Sequence, residues 1–126
     1  MLLRDYVATL EKLLASTPFV TSTSLSYEER PPSAGLIKAT IAFADGSQLD
    51  LREFLVLEPI VQVLKYGYNY RKAGSLIFRY DNANDPAARN LSTFPQHKHV
   101  SARILEAWKP SVEQVLHEVV SRLQVP

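Results

Sequence analysis

The chain has 126 residues, 46% of them hydrophobic and 21% charged, with fourteen basic side chains against thirteen acidic ones for a formal charge of +1. That length fits one domain, residues 1–126, able to bury roughly two-thirds of its unfolded surface; the composition excludes a disordered or fibrous chain, and the near-zero charge excludes strong long-range attraction to a polyanion. With no cysteine, disulfides, thiolate zinc sites and thiol nucleophiles are excluded too, which leaves His, Asp and Glu as the available metal donors.

In chain order, Leu2, Leu3, Tyr6, Val7, Leu10, Leu13 and Leu14 recur at helical spacing, which predicts an amphipathic helix over residues 2–15 ended by Pro18. Arg4, Asp5, Glu11 and Lys12 interrupt that pattern. A signal peptide needs an unbroken apolar core, and no run reaches the ~18 residues of a membrane span. A cytoplasmic protein without membrane contact is therefore expected. Phe19 to Glu29 is rich in Thr, Ser, Val and Tyr and suits a strand, with Pro31, Pro32, Ser33 and Gly35 marking the connection after it. Leu36 to Phe43, then Ala44-Asp45-Gly46-Ser47, then the alternation through Leu49 and Leu51 predict a hairpin turning at Asp-Gly. Further strands are predicted near Val61–Arg71 and Ser75–Tyr80, turning at Lys72-Ala73-Gly74. Asp81 to Pro95 is a polar stretch without helical periodicity, and a loop this long is more often functional than ordinary. Ser111 with Gln114 forms a capping box after Pro110 and opens a helix whose stripe is Val112, Val115, Leu116, Val119 and Leu123. The expected fold is α+β: an antiparallel meander-like sheet of about five or six strands with an N-terminal and a C-terminal helix.

Candidate chemistry lies in the second half. Pleating puts Tyr66, Tyr68 and Tyr70 on one side of their strand, a stripe that serves either as core and rim or as a stacking surface for bases. Arg79 and Asp81 share a face and are spaced to pair. If residues 96–100 are extended, His97 and His99 project to one side about 7 Å apart, with Lys98 opposite. Two chemistries fit. In the first, a histidine deprotonates a ribose 2′-hydroxyl while another group protonates the leaving oxygen and Arg79 steadies the phosphate, which is RNA cleavage without a metal or other cofactor. In the second, His97, His99 and Asp81 form a two-histidine, one-carboxylate metal site. His117 falls on the polar side of the last helix with Glu113, Gln114 and Ser121 and is a poor candidate. Basic residues gather mid-chain, at Lys65, Arg71, Lys72, Arg79, Arg89, Lys98 and Arg103; whether they converge on one face is a question for the structure.

Phe-Ala-Asp-Gly-Ser at 43–47, Phe-Arg-Tyr-Asp-Asn at 78–82 and Thr-Phe-Pro-Gln-His-Lys-His at 93–99, in that order and followed by a short helix, resemble the TumE family of toxin-like proteins over about residues 35–123. The resemblance implies the toxin of a prokaryotic toxin–antitoxin module, a co-encoded antitoxin partner of helix-turn-helix type, and an RNA-directed activity. By position, Arg79, Tyr80, Asp81, Asn82, His97, Lys98 and His99 match the family's motifs. From these come the candidate catalytic residues His97, His99, Arg79 and Asp81 and the candidate substrate-binding residues Tyr80, Asn82 and Lys98. Family members often carry further histidines where this chain has Asn84-Asp85-Pro86 and Gln96, so a metal site built from a larger histidine cluster does not carry over, and no metal or cofactor is expected. The alternative is a non-enzymatic module that binds protein or nucleic acid through its sheet face; self-association is left open.

Overall fold

The computed structural model describes residues 1–123. Helix α1 (Leu3–Ala15) is followed by seven strands, β1 (Val20–Arg30), β2 (Ala34–Phe43), β3 (Gln48–Val56), β4 (Gln62–Lys72), β5 (Ser75–Asp81), β6 (His97–Val100) and β7 (Arg103–Glu106), and then by α2 (Val112–Arg122). All seven pair antiparallel in chain order as one meander. This is the expected architecture with one more strand: β7, four residues long, follows β6 through a turn in which Ser101 has φ 55°.

Local chemistry explains the elements. The Asp-Gly turn closes where Gly46 takes φ 83° and the Asp45 carboxylate accepts from Ser47 N and Ser47 Oγ at 3.0 and 2.5 Å. At α2 the Ser111 hydroxyl accepts from Gln114 N at 3.1 Å and the Gln114 side chain accepts from Ser111 N at 2.9 Å, so the predicted capping box is present. Ala73 and Gly74 both have positive φ, 53° and 77°, turning β4 into β5.

Both helices cover the same face of the sheet. Leu3, Val7, Leu10 and Leu14 of α1 and Val112, Val115, Leu116 and Val119 of α2 join Ile37, Ile41, Leu49, Leu55, Tyr68, Tyr70 and Phe78 in one core. Gly35 lets α1 approach β2, since a Cβ there would lie 2.6 Å from Leu3 Cδ1. The tyrosine stripe of β4 belongs to this core: Tyr68 and Tyr70 are fully buried and Tyr66 nearly so. One charged group sits among them. Glu53 is wholly buried, and its carboxylate accepts from the Tyr6 hydroxyl at 2.5 Å and from the Tyr68 hydroxyl, which satisfies an otherwise costly buried anion.

Candidate functional site

The other face of the sheet is polar. On it the pleat sets Arg52, Gly67 and Asp81 side by side across β3, β4 and β5, and Asn69, Arg79 and His99 across β4, β5 and β6. Two adjoining hollows that share Arg52, Gly67 and Arg79 form a trough along this face, and the larger hollow has a volume of about 850 Å³. Its walls carry five cations, Arg30, Lys38, Arg52, Lys65 and Arg79, against two carboxylates, Asp50 and Asp81. A chain of net charge +1 thus concentrates positive charge on one surface. Of the mid-chain basic residues, Lys65 and Arg79 reach the trough; Arg52 and Lys38 come from earlier strands, where the parity of β2 and β3 is the only sequence signal for them.

Behind Arg79 and Asp81, which line the trough, two more of the predicted residues, His97 and His99, meet them. Asp81, 3% exposed, is a hub. Its Oδ2 lies 2.8 Å from Arg79 Nε and 3.7 Å from His99 Nε2; its Oδ1 accepts from Ala83 N at 3.0 Å and lies 3.0 Å from His97 Nε2. The two imidazoles pack edge to face with centroids 4.9 Å apart. They differ in access, because the His97 side chain is fully buried while that of His99 is 24% exposed and that of Arg79 is 48% exposed. The loop between β5 and β6 folds back so that Asp85 Oδ2 comes within 3.9 Å of His99 Nε2. Among the described residues, one ligand atom each from Asp81, His97 and His99 can be chosen so that all lie within 4.8 Å of one another.

The remaining motif residues go elsewhere. Lys98 and Tyr80 face the helices, where Lys98 Nζ is 2.7 Å from Glu118 Oε2 and the Tyr80 hydroxyl donates to Glu118 Oε1 at 2.7 Å. Asn82 lines the trough while bracing a bulge in β4: its Oδ1 accepts from Tyr66 N at 3.1 Å and its Nδ2 donates to the Leu64 carbonyl at 2.9 Å. His117 is exposed on α2. Among the described residues no helix is long and apolar enough to cross a membrane.

Compared with known proteins, the chain matches the family model described as Toxin TumE over residues 10–124. The match extends beyond the motifs into α1 and β1. No curated protein and no solved structure matches it.

Proposed function

The chain belongs to the TumE toxin family, and from that premise we propose that it is a toxin that acts in the cytoplasm by cutting RNA at the Arg79–Asp81–His97–His99 cluster beside the trough, held in check by a co-encoded antitoxin. The observation that carries this reading is that Arg79 and Asp81, which line a cationic trough, also contact a pair of imidazoles, His97 and His99. A groove of one dominant sign tracks a phosphate backbone, and the cluster supplies proton transfer where the backbone would lie. A ribose 2′-hydroxyl gives its proton to the cluster, its oxygen attacks the adjacent phosphorus, and the P–O5′ bond breaks. The products are a 2′,3′-cyclic phosphate and a 5′-hydroxyl, whose oxygen takes up a proton. Arg79 steadies the charge that builds on the phosphoryl oxygens. His97, sealed from solvent, acts by packing edge to face against His99.

Purified protein incubated with cellular RNA, together with a growth assay on expression, tests the reading. Cyclic-phosphate ends are expected. His99→Ala and Arg79→Ala should each lower cleavage by about 10²- to 10⁴-fold and relieve the growth defect in a still-folded protein. A chain that leaves every RNA intact and growth unaffected overturns it. RNA bound but uncut, with His99→Ala indistinguishable from the parent, would instead establish the non-enzymatic binding module.

A further inference from the structure

The geometry points to a site for a first-row divalent cation at Asp81, His97 and His99. It goes beyond the RNA reading and does not depend on it, since an ion can be held whether or not RNA is cut. The inference rests on the hydrogen bonding of His97. Its Nδ1 lies 2.7 Å from the Pro95 carbonyl oxygen, and a carbonyl only accepts, so Nδ1 carries the hydrogen and Nε2 of the neutral ring is a bare lone pair. That lone pair is fully buried and has no hydrogen-bond partner, and Asp81 Oδ1 lies 3.0 Å from the nitrogen but off the lone-pair axis. Two acceptors so placed repel unless something positive lies between them.

A proton is one possibility, yet Nε2 makes no hydrogen bond even with the carboxylate at 3.0 Å, because the alignment fails. A metal ion answers the geometry better. In a tetrahedral zinc site with bonds of about 2.0–2.1 Å, ligand atoms sit roughly 3.4 Å apart. Here His97 Nε2 lies 3.0 Å from Asp81 Oδ1, His99 Nε2 lies 3.7 Å from the other carboxylate oxygen, Oδ2, and the three donors lie within 4.8 Å of one another, so small side-chain rotations would close them around an ion. Each carboxylate oxygen has two acceptor positions, so Oδ1 serves Ala83 N and an ion together while Oδ2 keeps Arg79. The Pro95 carbonyl does for His97 what an outer partner does for a metal-bound histidine, fixing its tautomer and ring direction. Two imidazoles and one carboxylate select Zn²⁺, Fe²⁺ or their neighbours over Mg²⁺ and Ca²⁺, and leave coordination positions open. The sequence leaves this two-histidine, one-carboxylate site as one of two chemistries and favours the metal-free one; the tautomer imposed by Pro95 is what tips the choice toward an ion. Where both inferences hold, Asp81, His97 and His99 would hold the ion, which would supply Lewis-acid chemistry beside the phosphate, and Arg79 would still steady the phosphoryl charge.

Chelator-treated full-length protein titrated with Zn²⁺ by calorimetry and with Co²⁺ by visible absorption decides the matter. The expected result is one equivalent bound, Co²⁺ bands that Zn²⁺ abolishes, and a thermal midpoint that rises with Zn²⁺ concentration. His97→Ala empties a buried position and risks misfolding, so His99→Ala and Asp81→Asn carry the test, each checked for fold by circular dichroism. Either should weaken Zn²⁺ binding by at least about 10- to 100-fold. Arg79→Ala should hold or tighten it by removing a neighbouring positive charge, and His117→Ala should leave it unchanged. No uptake of either ion, or uptake indifferent to both ligand substitutions, overturns the site. Zn²⁺ binding without RNA cleavage keeps the site and removes the RNA reading; cleavage with no ion uptake and no response to chelator does the reverse.

Discussion

Lys98 stands between two histidines in sequence and on the opposite side of the sheet from both. Its Nζ lies over the rings of Tyr80 and Phe78, at 4.6 and 5.1 Å from their centroids, as well as against Glu118. Burial works against its charge, but the contacts with Glu118 and Tyr80 prevail and raise its pKa. For Glu118, burial is likewise outweighed by Lys98 and Tyr80, and its pKa is lowered. A raised lysine contributes stability below its ordinary value and a lowered glutamate contributes above its own, so at neutral pH both contributions are present. Lys98→Met should therefore keep growth inhibition and RNA cleavage while lowering stability by about 1–3 kcal/mol, as read by denaturant titration. Lost cleavage at unchanged stability would return Lys98 to the site.

At the scale of elements, β4 carries the most telling position. Gly67 lies between Arg52 and Asp81 on the floor of the trough, and a Cβ there would meet nothing within 4 Å. A glycine inside a strand forfeits stability, and no packing contact requires this one; what it provides is room. Gly67→Leu is expected to leave stability unchanged or to raise it by up to about 0.5–1 kcal/mol, while abolishing RNA binding in a fluorescence anisotropy assay. Unaltered binding would mean that RNA does not lie in the trough. Much of this element-level picture was legible beforehand because it is local. The Asp45-Gly46 turn, the Ser111 cap, and the parity that puts Arg79 with Asp81 and His97 with His99 all follow from a few consecutive residues. β7 was not legible, because Ser101-Ala102 carries no turn signature and four residues hold too little pattern. Nor was the burial of Glu53, which reads as one polar residue in an apolar alternation and is stabilised by hydroxyls from α1 and β4. The trough gathers side chains from five strands, β1 to β5, and no sequence window contains it.

For the molecule as a whole, the tyrosines set the response to base. Burial raises the pKa of Tyr6, Tyr66, Tyr68, Tyr70 and Tyr80, Tyr66 being pushed up to about 12, and Glu53 adds to the effect at Tyr6 and Tyr68. Groups whose folded pKa lies above the unfolded one stabilise fully below the unfolded value, about 10 for tyrosine, and lose that contribution as pH rises through the folded value. Lys109, lowered by burial with partial compensation from Glu53, works in the opposite direction, one group against five. Stability should decline above about pH 10, with tyrosinate absorbance appearing together with the loss of circular dichroism. Ionisation of these five tyrosines well ahead of unfolding, measured in a chain whose exposed Tyr27 is replaced by Phe, would contradict the buried hydroxyl network.

The strictly sequential strand order also gives the molecule a timetable. Each strand pairs with the one before it, so on a ribosome the cationic floor contributed by β2, β3 and β4 can assemble while β6 is still unmade. Asp81 and Arg79 then wait on β5 until the chain has run through the loop and delivered His97 and His99. A prematurely terminated product that ends before β6 would carry the charge without the imidazoles. Whatever reaction the cluster performs, the order of synthesis withholds it from unfinished chains.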